Sequence, residues 1–377
     1  MEVNIRLDES EEVVLLCGAG ASTFLGGLPT LDDLVQLASF GTGDVAHRIL
    51  STVRSIGSAQ DRYGKAVFEE LIVKLREYLH LAQVLQHDHN FRNTVGQIPS
   101  SVENGEVQRK WKEALTKCYR VLLDEYGPQK INFETKECST VLQLFEDLAK
   151  INNGKLHIYT TNYDCSYQVL AARSGNVGFY THIDNNTGVF SENWFRANPY
   201  LENAGLPSIY IHRLHGCVAW FNINTGESWE GGTTIQEIFG AGGNLEIKND
   251  DELPNMCIKL IASQLVGSNL AFSKAFEEFA HHLRTVRNLL VWGYSFRDLE
   301  VLRLINHTLS GRTEPLNIYY LDLYLPESTA IQNIRRTLLS SPIHRVAKGF
   351  EPKKINWVPA DGYANIIDLI LNAIKKQ

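Results

Sequence analysis

The sequence predicts an α/β protein with a Rossmann-like, doubly wound, mainly parallel six-stranded sheet and a large helical insertion. Three observations lead there. Six short apolar segments, rich in β-branched or aromatic residues, have the composition of strands covered on both faces. They are "VVLLCGAG" (13–20), "LHIYTTN" (156–162), "IYIHRLHG" (209–216), "NLLVWGYS" (288–295), "NIYYLDLY" (317–324) and "KINWVP" (354–359). Amphipathic helical patterns separate several of them, and strand–helix alternation marks a sheet wound by crossover helices. The chain has 377 residues, 44% apolar and 21% charged, an ordinary globular balance with enough apolar material for a real core.

The first strand runs into Gly18, Ala19, Gly20 and Ser22. A strand ending in small residues brings backbone N–H groups to the carboxyl edge of the sheet, where anions and especially pyrophosphates bind. A larger side chain would hold such a ligand away, and Ser22 adds a hydroxyl donor. The stretch is not a full G-x-G-x-x-G fingerprint, because Leu25 lies near the third glycine position. A tight turn that needs backbone freedom explains the same residues equally well. In "GLPTLDDL", Thr30 with Asp33 reads as the N-cap of a helix, and Asp32 and Asp33 take structural roles.

From about 31 to 150 the sequence is helix after helix. Phe68, Leu71, Ile72, Leu75 and Leu79 form one apolar stripe, and "VQRKWKEALTKCYRVLLDEYG" forms another. The expected division is therefore an α/β domain made of 1–30 and 151–377, with 31–150 inserted. A second insert near 221–255 starts with "FNINTGESWEGG", which suggests a hairpin.

The second strand ends in "TTNYD". Thr161, Asn162 and Asp164 lie where an open α/β sheet presents side chains to a ligand. Asn162 has a donor and an acceptor, suited to orienting a sugar hydroxyl or a water. Asp164 serves the ligand or caps the following helix. The third strand ends in "RLHG", and His215 there has the chemistry to accept a proton from a hydroxyl. A structural histidine is the competing reading. His281 and His282 sit on a helix without partners at metal-ligand spacing, and are expected to face solvent. The fourth strand ends in "GYSFRD", where Gly293 and Ser295 repeat the small-residue pattern of the first loop, while Arg297 and Asp298 begin the next helix. Asp322 ends the fifth strand, where a carboxylate accepts hydrogen bonds from two ribose hydroxyls. After the last strand, the turn of "PADGY" is placed to close over a base.

"GAGAS…GLPT", "TTNYD", "RLHG" and "GYSFRD", in this order, resemble the sirtuin superfamily, and within it the bacterial sirtuin-like NAD hydrolases. The resemblance covers about 13–30 and 156–376 but not the helical insert. It implies that Gly18, Ala19, Gly20 and Ser22 wrap the dinucleotide, and that Asn162 and Asp164 hold the nicotinamide side. It further implies that Asn162 and His215 are catalytic. Thr161 stands where the deacylases have glutamine. Gly293, Ser295 and Asp322 would hold the adenosine half, and Asp361 with Gly362 would flank the adenine. Two departures weigh against protein deacylation. The deacylases carry two close cysteine pairs that build a zinc module, whereas here Cys217 is followed only by Cys257, so no zinc is expected. The Asp-Phe-Arg segment of the deacylase cofactor loop is also missing after "GLPT".

The expected activity is hydrolysis of the nicotinamide–ribose bond of NAD, with NAD as substrate. By the same resemblance, the expected setting is bacterial anti-phage defence, in a homo-oligomer partnered by a HerA-type ATPase. A binding-only NAD or ADP-ribose module and an NAD-dependent deacylase are the alternatives. The six cysteines are scattered, which argues against a zinc ribbon or a disulfide framework. The acidic start "MEVNIRLDESEE" lacks the basic and apolar regions of a secretory signal, and no run is long enough to span a membrane. Both predict a cytoplasmic protein. A net charge of −7 and the lack of a basic stripe make direct nucleic-acid binding unexpected.

Overall fold

The computed structural model describes residues 13–26, 28–29, 31–41, 44–51, 67–88, 105–131, 136–173, 178–181, 183, 189–190, 207–224, 233–237, 256–258, 270–294, 296, 298–312, 316–321 and 356–357. The chain is α/β and its main sheet is parallel, an arrangement of the Rossmann-like kind. Its strands are β1 (Val13–Cys17), β2 (Lys155–Thr160), β3 (Gly178–Tyr180), β4 (Ser208–Arg213), β8 (Asn288–Trp292), β9 (Asn317–Leu321) and β10 (Asn356–Trp357). They run in the order β10-β9-β8-β1-β2-β4-β3, and each neighbouring pair is parallel. A parallel sheet buries both faces, and β1, β4 and β8 are buried along their whole length.

The sheet thus has one strand more than the six expected. The addition is β3, a Gly-Phe-Tyr segment too short to show a strand pattern; its register on β4 fixes it as the edge. The third expected strand also ends earlier than the sequence suggested. β4 stops at Arg213, and Gly216 already opens β5 (Gly216–Asn224). β5 lies antiparallel between β6 (Thr233–Glu237) and β7 (Met256–Ile258) in a second, three-stranded sheet. The expected hairpin is the β5–β6 pair, in which Asn224 faces Thr233. Gly216 turns the corner at φ 80°, and a Cβ there would come within 2.2 Å of the Cys257 carbonyl oxygen. His215 therefore stands at the junction of the two sheets.

Between β1 and β2 the described residues are helical: α1 (Ala19–Gly26), α2 (Leu31–Leu37), α3 (Val67–His87), α4 (Glu106–Tyr126) and α5 (Lys136–Ile151), with a short 3₁₀ turn at Pro128–Lys130. α5 leads into β2, and its Phe145 lies edge-on to Trp292 of β8. Helices α3 and α4 bury Phe68, Leu71, Ile72, Leu75, Leu115, Cys118, Tyr119 and Leu122 in the same cluster that holds Leu15, Ile158 and Ile211 of the sheet. The apolar stripes read from the sequence thus face one continuous core. The outer sides of these helices carry short-range ion pairs such as Lys110–Glu106 at 2.6 Å.

The remaining helices are α6 (Ser166–Arg173), α7 (Leu270–Thr285) and α8 (Leu299–Ser310). Phe279 and Leu283 of α7, with Val301 and Ile305 of α8, pack with Val14, Leu16, Leu289 and Val291 in a second cluster. Alternate residues of β1 feed the two clusters, as the two-residue period of a strand requires. No described helix is long and apolar enough to cross a membrane.

Candidate functional site

In the strand order, β8, β1, β2 and β4 are consecutive. The four segments singled out in the sequence follow these four strands, so they share one stretch of the carboxyl edge. The chain's outward path from β1 changes direction between β1 and β8. In open α/β sheets that is where ligands bind.

At this point the loops after β1 and β8 are pressed together. The Gly18 N–H donates to the Trp292 carbonyl and the Gly20 N–H to the Gly293 carbonyl, both at 2.9 Å. A Cβ on Gly18 would sit 2.6 Å from the Tyr294 Cα and 2.7 Å from the Gly293 carbonyl oxygen. Gly293 has φ 59°, and a Cβ there would lie 2.4 Å from the Ala21 nitrogen. The bare backbone is thus explained by a neighbouring loop. The N–H groups of Gly18 and Gly20 serve that contact instead of pointing at an open edge. Beyond it, α1 begins at Ala19, so the positive end of a helix dipole lies directly after β1. Phe296, buried in the β8 loop, holds a left-handed φ of 54°, a conformation that costs a bulky side chain energy and is kept only where packing over-determines it.

Asn162, 7% exposed, follows β2. Its Nδ2 donates to the Gly18 carbonyl at 2.8 Å and to Ser22 Oγ at 2.6 Å. Ser22 Oγ in turn donates to Asp164 Oδ2 at 2.5 Å. Both amide hydrogens of Asn162 are therefore committed, which sets the amide orientation and leaves Oδ1 as its acceptor. The single hydroxyl hydrogen of Ser22 is held by Asp164. In this arrangement Ser22 fixes Asn162 and does not offer the donor expected for a phosphate. The other oxygen of Asp164, Oδ1, accepts the Ser166 N–H at 2.8 Å and so starts α6. Of the two roles the sequence left open, the structure shows the helix start, and the second oxygen of Asp164 holds Ser22. Thr161, half-buried, continues the ladder by donating its N–H to the Cys17 carbonyl at 3.1 Å.

His215 is 2% exposed and its Nε2 lies 2.6 Å from Asp298 Oδ2. Strands lie about 4.8 Å apart, so β4 and β8, with β1 and β2 between them, are separated by roughly 14 Å in the sheet. The loops after β4 and β8 therefore meet above the ends of β1 and β2. Asp298 Oδ1 accepts N–H groups from Glu300 at 2.8 Å and Val301 at 3.4 Å, the pattern of an N-cap on α8. From the sequence, Asp298 is expected only to start this helix; its partner His215 lies 83 positions away along the chain, and no local pattern signals the bond.

Arg213, 1% exposed, supports this edge from below, donating to the Asn162 carbonyl at 3.2 Å and to Gln168. Tyr163 stands between the two halves of the site. Its ring centroid is 6.1 Å from that of His215, and its hydroxyl donates to Glu69 of α3 at 2.6 Å. Burial first, then the Glu69 charge, pushes the Tyr163 phenol well above its usual range. Tyr126 of α4 reaches the Pro29 carbonyl at 3.0 Å, and its own carbonyl takes the Cys165 N–H at 3.0 Å. The helices between β1 and β2 are thereby bolted to the site loops. Behind those loops, the buried thiols of Cys165 and Cys217 approach to 3.9 Å.

A polar cluster lies on the sheet face that α7 covers. His157 Nδ1 is 3.0 Å from His212 Nε2, and Tyr159 Oη is 2.5 Å from His282 Nδ1. Contrary to the sequence expectation, His282 is a half-buried partner of Tyr159; only His281 is exposed. Helical phase turns one of two adjacent histidines inward. Among the described residues no three His, Cys, Asp or Glu side chains are arranged to hold a metal ion. Of the expected site residues, Ser295, Asp322, Asp361 and Gly362 lie outside the described residues, as does Thr30. No family model matches this sequence, and it matches no curated protein.

Proposed function

We propose that the chain is an NAD glycohydrolase that uses water to cleave the bond between nicotinamide and ribose. The observation that carries this reading is the Asn162–Ser22–Asp164 chain of hydrogen bonds at the carboxyl edge of a parallel sheet, after the strand that neighbours β4. It holds a carboxamide with its acceptor left over, and the neighbouring strand β4 leads to the imidazole of His215.

In the proposed reaction the C1′–N bond breaks and nicotinamide leaves neutral with the bonding electrons. The ribose is left with oxocarbenium character, as in glycoside hydrolysis. No acid is needed for such a leaving group. Asn162 Oδ1 orients the attacking water or a ribose hydroxyl, and His215 takes the proton that water releases. The products are nicotinamide, ADP-ribose and one proton. With the Gly18 and Gly20 N–H groups taken by the β8 loop, the start of α1 would act on the pyrophosphate through its helix dipole alone, and Asp322 would accept the ribose hydroxyls. A 2′-phosphate would be repelled there, so NAD is preferred to NADP. Gly293 and Ser295 belong to the adenosine half, and Asp361 with Gly362 to the adenine.

We further propose that 31–150 is an inserted helical module through which the chain forms a homo-oligomer. Leu37, Tyr78 and Leu81, large and exposed on α2 and α3, support an assembly role. The setting proposed is bacterial, cytoplasmic anti-phage defence, where a HerA-type ATPase controls NAD depletion. The test is product analysis with NAD and the purified chain, alone and with such an ATPase, beside His215→Ala. Release of nicotinamide and ADP-ribose that depends on His215 supports the reading. Tight NAD binding by calorimetry without release makes the chain a binding module, and deacylation of an acyl-lysine peptide makes it a deacylase.

A further inference from the structure

We infer that Asp298 is a positioning residue that sets the tautomer of His215, so that Nδ1 is the nitrogen that takes the proton. The inference rests on the hydrolase reading for the identity of the substrate, but not for the tautomer itself.

An ionised carboxylate only accepts hydrogen bonds, so the 2.6 Å contact between Asp298 Oδ2 and His215 Nε2 puts a hydrogen on Nε2. In a neutral imidazole the lone pair then resides on Nδ1. His215 makes its one hydrogen bond to a described residue through Nε2. The carboxylate cannot rotate freely, because Oδ1 is held by the Glu300 and Val301 N–H groups at the start of α8. That position also favours the ionised form, since the positive end of a helix dipole stabilises a negative charge. When Nδ1 takes a proton, the imidazolium that results is stabilised by the charge already facing Nε2. One residue thus caps a helix with one oxygen and orients the base with the other. Asp164 divides its oxygens in the same way between α6 and Ser22, so both members of the site are aimed from helix starts.

The deciding variant is Asp298→Asn. The amide keeps Oδ1 as a cap but turns an N–H toward Nε2, which then must accept, so the ring hydrogen moves to Nδ1. The experiment uses the full chain labelled with ¹⁵N-histidine, with the His215 signal assigned by its loss in His215→Gln. Wild type is expected to show protonated Nε2 and unprotonated Nδ1, and Asp298→Asn the reverse. With NAD at saturation, kcat of the variant is expected to fall about 10³-fold or more with KM little changed. A wild-type spectrum with the hydrogen on Nδ1 overturns the inference even if the variant does not fold. So does an Asp298→Asn protein with the wild-type tautomer or the wild-type rate. A tautomer that inverts in a chain that never releases nicotinamide supports the inference and removes the hydrolase reading.

Discussion

Gly18 lies under Tyr294 so closely that a methyl group at 18 would stand 2.6 Å from the Tyr294 Cα. The atoms in the way are backbone, which cannot swing aside, so the loops after β1 and β8 must separate to admit any side chain. Gly18→Ala is therefore expected to lose about 1–3 kcal/mol of stability, the usual cost of overpacking. Gly41→Ala is the control. Its nearest neighbour would be Asp44 Oδ2 at 3.6 Å, and a change within about 0.5 kcal/mol is expected. Urea unfolding of the two variants measures the contrast.

Asn162→Asp keeps the shape of the side chain but replaces the donor that holds Gly18 O and Ser22. It also sets a second carboxylate beside Asp164. Nicotinamide release from NAD is expected to fall by about 10²-fold or more, the range for a lost positioned proton-handling group. Binding of NAD by calorimetry should weaken much less. Wild-type turnover in this variant would remove Asn162 from the chemistry.

Tyr163 and Glu69 join the sheet edge to α3 through a buried hydrogen bond at 2.6 Å. A double-mutant cycle of Tyr163→Phe and Glu69→Gln is expected to give a coupling of about 1.5–3 kcal/mol, as for hydrogen bonds to charged groups. The raised Tyr163 phenol adds a pH effect. Its stabilising contribution is full below the ordinary tyrosine range near pH 10 and is lost as the pH rises beyond it. Thermal melts from pH 8 to 11 should therefore fall more steeply for wild type than for Tyr163→Phe.

His157 is pulled down to about 3, chiefly by burial and then by the His282, Lys155 and His281 charges. His212 and Tyr210 also lie against it, Tyr159 stacks on His212, and the Glu278 charge acts on Tyr159. A depressed histidine contributes stability that is full above its unfolded value near 6.5 and is lost as the pH falls toward 3. Melting temperature is expected to drop through that window, and His157→Phe should flatten the drop. An identical profile for the variant would show that acid acts elsewhere.

Much of the sheet was legible because buried parallel strands are apolar on both faces. β1 declares itself over five consecutive apolar residues and β8 over the four from Leu289 to Trp292. The helical stripes of α3 and α4 were equally plain, since Phe68, Leu71, Ile72 and Leu75 repeat at the helical period. β3 was not legible because three residues cannot show a period. His282 was misjudged because sequence alone does not give the rotation of α7 against the sheet. The small residues at 18–20 were visible, but their reason was not, because Tyr294 approaches from 276 positions away.

Local chemistry in the sequence determined which residue types stand at the ends of strands: the small loop, the amide, the imidazole and the second glycine turn. Those placements follow from short-range patterns of apolar runs and breakers, which any chain segment carries by itself. Only the tertiary structure decided their partners. It brought His215 to Asp298, Asn162 to Ser22 and Tyr163 to Glu69, because hydrogen bonds depend on distances of a few ångströms that strand order and loop path set together.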